Sequence, residues 1–371
     1  MIKFLDLKRR YQKYKKEITF SILEVFKRGM FILGPELKKF ESDFARFIGS
    51  KYAIGVNSGT DALFLALKSL GIGNGDEVIT VSHTATPTIS AIRMTGAIPV
   101  FVDIEERTLV MNPLLIEDKI TSRTKAILPV HLYGFPADMI KIRKLARKHS
   151  LFIIEDACQA HGAKINGKCV GTFGDAGCFS FYPTKNLGAF GDAGMVVTDR
   201  KKIAEMVSYL RNYGEVSKFN NVFEGVNSRL DEIQASLLSW GLKKNWLWEK
   251  RRKKLAGLYM KYLKNLPIIL PSSGDDNFRR VWHLFVIRIK ERDILKKFLA
   301  ERGIETAIHY PFPVFRQPAY KFLGYTDSDL PVTARVSREI LSLPLYPELK
   351  EEEVLKICLS IRDFYAKRQR K

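Results

Sequence analysis

Apolar residues in the first fifty positions recur every three or four places. Ile18, Ile22, Leu23 and Phe26 share one face of a helix expected over residues 17–27, and Leu37, Phe40, Phe44 and Phe47 share one face of a second over 36–48. Gly34-Pro35 breaks the pattern between them. From Tyr52 onward short apolar runs alternate with amphipathic stretches. Strands are expected at 52–56, 77–81, 98–103, 126–130 and 151–155, and helices at 60–70, 88–95 and 139–149. Short runs without an exposed face, alternating with helices, predict an α/β fold in which a mainly parallel sheet lies between helices. Such sheets hold their ligands outside the strand C-termini. A long helical stretch from 230 to about 263, interrupted by Gly241, leads into a region with a strand at 282–289 and a helix at 294–301, which reads as α+β. The expected division is a large α/β domain over 1–240 and a smaller C-terminal α+β domain over 241–371, bridged by that helix, in keeping with about 150 residues per domain.

Composition narrows the function. A hydrophobic share of 46% and a charged share of 27% are those of a folded globular chain. Lys and Arg number 61 against 40 Asp and Glu, a formal charge of +21 that suits anionic partners. The positive residues are dispersed, however, with local runs at Lys8-Arg9-Arg10, 250–254 and 367–371. No zinc-finger spacing, RNP-type aromatic motif or basic heptad accompanies them, so nucleic acid is not the expected main partner, and attraction of a nucleotide diphosphate fits better. Cys158, Cys169, Cys178 and Cys358 form no C-x-x-C pair, and the six histidines are well separated, so neither disulfides nor a metal site is expected. The start Met1-Ile2-Lys3-Phe4-Leu5-Asp6 lacks the apolar core of a signal peptide, and no stretch approaches the ~20 apolar residues of a membrane span. A cytoplasmic protein without membrane contact is expected.

The most informative stretch is Cys178-Phe179-Ser180-Phe181-Tyr182-Pro183-Thr184-Lys185-Asn186-Leu187-Gly188, which continues through Gly191 to Gly194. An apolar run delivers Ser180 and then Lys185 into a glycine-rich loop. Lysine becomes a nucleophile near neutrality only when desolvation or a neighbouring cation lowers its pKa, and its placement here suggests Schiff-base chemistry. A pyridoxal phosphate site also needs a carboxylate for the pyridine nitrogen, an anion site for the phosphate and a contact for the ring face. Asp156, at the end of the strand expected at 151–155, suits the ring nitrogen, although an isolated acidic strand end is more often a simple cap. Gln159 is placed to donate to the phenolic oxygen. Asn57-Ser58-Gly59-Thr60-Asp61-Ala62-Leu63 is a strand, a tight polar turn and a helix start, a natural anion site, with Ser180 offering a second hydroxyl. Competing motifs fail on context. Gly71-Ile72-Gly73 precedes a strand instead of following one, Tyr182 and Lys185 are one residue too close for a Y-x-x-x-K pair, and the glycines follow the lysine where a Walker loop would put them before it.

Ser58 to Leu63, Glu155-Asp156-Ala157-Cys158-Gln159-Ala160-His161-Gly162-Ala163, Phe179 to Gly194 and Asn227-Ser228-Arg229-Leu230-Asp231-Glu232-Ile233-Gln234-Ala235 together resemble the DegT-type nucleotide-sugar aminotransferases, pyridoxal phosphate enzymes of the aspartate aminotransferase fold, fold type I. The likeness runs from Gly34 to Leu349. It implies Lys185 as the Schiff-base lysine, Asp156 as the pyridine partner, Gln159 as a ring contact, and Gly59, Thr60 and Ser180 as phosphate ligands. Asn227 is implied to reach the cofactor of the neighbouring subunit in a homodimer with a shared site. His309-Tyr310, Arg229 and Tyr182 are implied near the nucleotide sugar. Many relatives place an aromatic residue two positions after the equivalent of His83 to stack on the ring, and this chain has Ala85 there. Either His83 takes over the stacking or an aromatic comes from elsewhere. Sugar dehydratases of the family carry histidine for the lysine, so Lys185 favours amino transfer. The implied donor is glutamate, and the string Ser-Phe-Tyr-Pro-Thr-Lys-Asn-Leu-Gly looks most like members acting on dTDP-linked 3-keto-6-deoxyhexoses. A 4-keto substrate is the alternative within the family, and a regulatory or nucleic-acid-binding protein on the same scaffold the alternative from another class.

Overall fold

The computed structural model describes residues 1–369. Helices α1 (Leu7–Arg28) and α2 (Pro35–Ile48) precede strand β1 (Tyr52–Val56) and helix α3 (Gly59–Ser69). Then β2 (Glu77–Val81), α4 (Thr86–Met94), β3 (Ile98–Val102), β4 (Thr124–Ile127), α5 (Met139–Lys148) and β5 (Phe152–Asp156) follow in the expected alternation. A small hairpin of β6 (Lys164–Ile165) and β7 (Lys168–Cys169) leads to β8 (Ala176–Ser180), β9 (Gly194–Thr198), α6 (Lys201–Leu210) and a ribbon of β10 (Glu215–Ser217) and β11 (Asn220–Asn221). After α7 (Glu232–Leu263) come β12 (Phe278–Arg279), β13 (Phe285–Arg288), α8 (Arg292–Ala300), α9 (Pro331–Glu339), β14 (Ile340–Leu343) and α10 (Glu351–Gln369). The basic run at the chain end begins on α10, and Arg370 and Lys371 lie outside the described residues.

Seven strands form the central sheet in the order β1-β9-β8-β5-β4-β2-β3. The pairings from β8 through β3 are parallel, and β9 runs antiparallel to both of its neighbours. The sheet is therefore mainly parallel, as the alternation of elements predicts. Its β9 escapes the sequence pattern because Gly194 opens it and the preceding loop is rich in glycine. Ser180 pairs with Gly194 across β8 and β9, so the loop carrying the lysine leaves and re-enters the sheet at one place. The strand expected at 126–130 is shifted to Thr124–Ile127, because Pro129 has no N–H for the ladder. Pro129 instead accepts from the Asp156 N–H, and Val130 forms an isolated bridge to Asp156.

Phe40 and Phe44 of α2 meet Phe181 edge-on at 5.2 and 5.1 Å, and Phe44 meets Phe179 at 5.1 Å, fixing α2 against β8 and the start of the lysine loop. The first turn of α2 is capped from a distance: Glu232 is buried, and its carboxylate accepts the N–H groups of Gly34, Glu36 and Leu37 at 2.8–2.9 Å. A second apolar core gathers Tyr259, Phe285, Leu343 and Ile357, and Ile2 at the chain start belongs to it. Among the described residues no helix is long and apolar enough to cross a membrane.

Candidate active site

The parallel strands β1, β2, β5 and β8 all deliver their C-terminal ends to one edge of the sheet, where a cavity of about 250 Å³ opens. Gly59, Thr60, Asp156, Gln159, Ser180, Tyr182 and Lys185, separated in sequence, all line it.

One end of the cavity is the start of α3. Ser58 caps the helix, its Oγ accepting the Asp61 N–H at 3.1 Å, and the first helical bond runs from the Ala62 N–H to the Ser58 carbonyl at 2.9 Å. The N–H groups of Gly59 and Thr60 have no acceptor among the described residues. A Cβ on Gly59 would stand 2.7 Å from Ser180 Cβ and 2.9 Å from Cys158 Sγ, and one on Gly194 would stand 2.1 Å from the Ser58 carbonyl oxygen. Only glycine lets the helix start approach the two strands this closely. Ser228 ties in the flanking segment, accepting the Asn57 N–H at 3.1 Å and donating to Asp61 Oδ2 at 2.7 Å.

Asp156, the last residue of β5, is buried. Its Oδ2 accepts the Thr88 hydroxyl at 2.8 Å, Thr88 in turn accepts from Thr84 at 2.8 Å, and Oδ1 accepts the Cys158 N–H at 3.2 Å. Sequence reasoning missed Thr84 and Thr88, which read only as loop and helix start. Gln159 is held at both ends of its amide: Oε1 accepts the Tyr133 N–H at 2.9 Å, and Nε2 donates to the Tyr310 hydroxyl at 3.1 Å. Burial pushes the Tyr310 phenol up to about 12.

Lys185 sits in a turn closed by its own N–H on the Tyr182 carbonyl at 2.8 Å, and its amine has no hydrogen-bond partner among the described residues. Burial draws the amine below the usual lysine value, while nearby Cys158 and Asp156 oppose the shift. The arrangement puts a desolvated amine, an oriented carboxylate and an unclaimed pair of backbone donors around one cavity.

Other expected residues lie elsewhere. His83 does not line the cavity; it is buried behind it with Nε2 3.1 Å from the Tyr133 hydroxyl, and burial lowers its pKa to about 4. Thr84 and Ala85 line the cavity instead. His309 is held by Ser342 Oγ at 2.9 Å from Nδ1, stacks on Phe4, and gives its carbonyl to the Tyr133 hydroxyl. Burial first, then the charge of Lys185, lower its pKa to about 4. Tyr182 is half exposed at the cavity wall. Asn227 is exposed and lies outside its own chain's cavity, and Arg229 donates to Asn212 Oδ1 at 3.0 Å with its guanidinium over the Tyr213 ring.

The fold is that of a fold type I aminotransferase, and Lys185, Asp156, Gly59 and Thr60 line one cavity at the C-terminal edge of its sheet. The chain belongs to the DegT/DnrJ/EryC1/StrS aminotransferase family, whose model matches residues 12–362. It is 46% identical to a dTDP-3-amino-3,4,6-trideoxy-alpha-D-glucose transaminase of Streptomyces venezuelae, over 98% of this chain and 96% of that one. It is also 46% identical to a dTDP-3-amino-3,6-dideoxy-alpha-D-galactopyranose transaminase of Aneurinibacillus thermoaerophilus, over 98% and 99% of the two chains. Among solved structures, S. venezuelae DesV in complex with a ketimine intermediate superposes with a TM-score of 0.96 at 46% identity, covering 98% of each chain. Bacillus subtilis NtdA with bound PMP gives 0.87 at 32% identity, covering 96% of this chain and 85% of that one. The protein is thus a sugar-nucleotide aminotransferase.

Proposed function

We propose that this enzyme moves the amino group of glutamate to the 3-keto carbon of a dTDP-linked 6-deoxyhexose, giving an amino sugar nucleotide for polysaccharide or glycan biosynthesis. The observation that carries the reading is that the Lys185 amine, without a hydrogen-bond partner among the described residues, shares one cavity with Asp156. The 3-keto position and the dTDP carrier draw support from the two relatives that act on dTDP-3-amino sugars.

The cofactor is pyridoxal 5'-phosphate, and the cavity fits it: two N–H groups without acceptors face a cradle that a Cβ on Gly59 would fill, with Asp156 and Lys185 lining the same space. When bound, it supplies the carbonyl that takes up the amino group and a ring that draws electrons from the carbon losing its proton. In this reading the Gly59 and Thr60 N–H groups and the Ser180 hydroxyl hold the phosphate. Asp156, oriented by Thr88 and the Cys158 N–H, keeps the ring nitrogen protonated. Gln159 contacts the ring oxygen. The Lys185 amine, with its pKa lowered by burial, would be the acid/base of each half-reaction, taking up a proton at Nζ where a carbon–hydrogen bond breaks and giving one back where the next forms. Tyr182, His309, Tyr310 and Arg229 are assigned to the nucleotide sugar by the family resemblance, of which Tyr182 lines the cavity, and burial and the charge of Lys185, lowering His309 to about 4, leave it a neutral imidazole at physiological pH.

We assign the working unit to a homodimer with a shared site. Asn227 supports this, since it is exposed, outside its own chain's cavity, and free to face a neighbouring subunit's phosphate. A second apolar core built, apart from Ile2, from residues 255–365 supports a smaller C-terminal domain after the expected boundary at 240, and Val281, Val314 and Ile340 of that region pack into the first core of the large domain. Four unpaired cysteines support a reducing, cytoplasmic setting.

The test is to incubate the purified protein with pyridoxal phosphate, glutamate and a panel of 3-keto and 4-keto nucleotide sugars, with products read by mass spectrometry and NMR. A 3-amino product from the dTDP substrates, absent with Lys185→Ala, is expected. Amination confined to 4-keto substrates overturns the position, and a protein that gains no visible absorbance on adding the cofactor overturns the reading.

A further inference from the structure

Glu155 and Asp156 are neighbours at the end of β5, so their side chains leave opposite faces of the sheet. Asp156 faces the cavity. Glu155 is fully buried on the far side, where a carboxylate needs an explanation. It has one: Oε1 accepts the N–H groups of Phe173 and Gly174 at 2.6 and 2.8 Å, and Oε2 accepts the Gly171 N–H at 2.7 Å and meets His131 Nε2 at 3.0 Å. Four donors satisfy the anion without a guanidinium or ammonium partner.

His131 is buried as completely, and its tautomer follows from its neighbours. The Ala137 N–H points at Nδ1 at 3.0 Å, so that nitrogen holds the lone pair and the proton resides on Nε2, donated to Glu155. Through this ring the buried carboxylate grips both ends of the segment 131–137. Within that segment Tyr133 and Gly134 occupy left-handed backbone conformations, φ 55° and 86°, an arrangement that persists only when its surroundings fix it. The Tyr133 N–H is thereby aimed at Gln159 Oε1, which turns the Gln159 amide so that Nε2 reaches Tyr310. The His131 backbone N–H also donates to the Asp156 carbonyl at 3.0 Å, and the Asp156 N–H donates to Pro129 at 2.9 Å.

We propose that Glu155 and His131 are a positioning pair, acting from the hidden face of the sheet, that sets the cofactor-facing orientation of Gln159 and, through the backbone bond of His131 to the Asp156 carbonyl, steadies the strand end that carries Asp156. The inference rests on the reading of those two residues as contacts of the pyridine nitrogen and ring oxygen. Neither member lines the cavity, so the effect of removing one would reach the cofactor only through the residues it positions.

The decisive variants are His131→Phe, which fills the space but deletes both hydrogen bonds, and His131→Gln, which keeps a donor for Glu155 and gives up the acceptor for Ala137. The probe is pyridoxal 5'-phosphate. Its dissociation constant and the pH midpoint of the visible band of the bound cofactor are measured well below the melting temperature of each protein. A purely structural histidine lowers the melting temperature and leaves the midpoint where it was. The pair acting as proposed moves the midpoint and loosens the cofactor by about tenfold in His131→Phe, with part of both restored in His131→Gln. If His131→Phe does not fold, His131→Gln alone decides, with a smaller shift of the same sign expected. A normal midpoint and affinity in the folded variant overturns the pair while leaving the enzyme reading intact. An unmodified protein that binds no cofactor overturns that reading first, and the pair with it.

Discussion

Gly59 is the residue at which packing and chemistry meet most tightly. The methyl of Gly59→Ala would meet Ser180 Cβ and Cys158 Sγ inside 3 Å, and Ser180 Cβ belongs to a strand that cannot yield as a flexible side chain would. Overpacking of this kind costs about 1–3 kcal/mol. Because the strain falls on the N–H pair assigned to the phosphate, the expected outcome is a folded protein whose pyridoxal phosphate dissociation constant rises about tenfold or more. Fluorescence titration checks it, and an unchanged constant would remove Gly59 from the phosphate site. That Lys185, Asp156, Ser180 and Gly59 gather at one cavity was legible in the sequence, because two strand ends and a helix start carry three of them and the glycine-rich loop leaving β8 carries the lysine. Thr88 was not. It meets Asp156 from 68 positions away, and a threonine near a helix start looks like a cap until the sheet brings the two together. For the ring face the family resemblance left His83 or an aromatic from elsewhere, and in the structure the His83 imidazole meets the Tyr133 hydroxyl and does not line the cavity.

At the scale of elements, the sequence located α2 and α7 separately, and the contact between their first turns is what it withheld. Glu232 Oε1 accepts the Gly34 and Leu37 N–H groups and Oε2 the Glu36 N–H. In Glu232→Gln the amide retains one oxygen for two donors, turns its own N–H₂ toward the third and removes the charge facing the helix dipole. A loss of about 1–3 kcal/mol is expected, read as a lower urea midpoint at unchanged slope. A midpoint equal to that of the unmodified protein would show that α2 is capped adequately by solvent. Strand positions follow the same division. The runs at 52–56 and 77–81 coincide with β1 and β2, whereas β4 is displaced by Pro129 and the expected 282–289 strand contracts to β13, Phe285–Arg288. Hydrophobic runs reveal which segments are buried, but ladder hydrogen bonds decide where a strand stops.

For the molecule as a whole, the histidines make an acid-sensitive set. Burial lowers His83 and His309 to about 4 and His161 to about 3, and holds His283 well below its ordinary value. Unfolded, each titrates near 6.5, so below that pH the unfolded chain binds protons that the folded chain refuses. Stability therefore rises with pH through this window and is lost as pH falls, by about 1.4 kcal/mol per unit for each such group. The urea midpoint is expected to fall between pH 7 and pH 5. His161→Phe, placed among Phe179 and Phe181, should flatten that slope by about one proton, and an identical slope in the variant would contradict the assignment. The +21 charge is a property of this same scale, dispersed along the chain instead of gathered in one basic motif. Ser180 pairs with Gly194, so residues 181–193 start and finish at adjacent points of a fixed frame. Between those ends Phe181, Leu187 and Ala193 are buried in the core, so the segment carrying Lys185 is a mount held at both ends and from beneath, and its lysine inherits the position of the sheet edge itself.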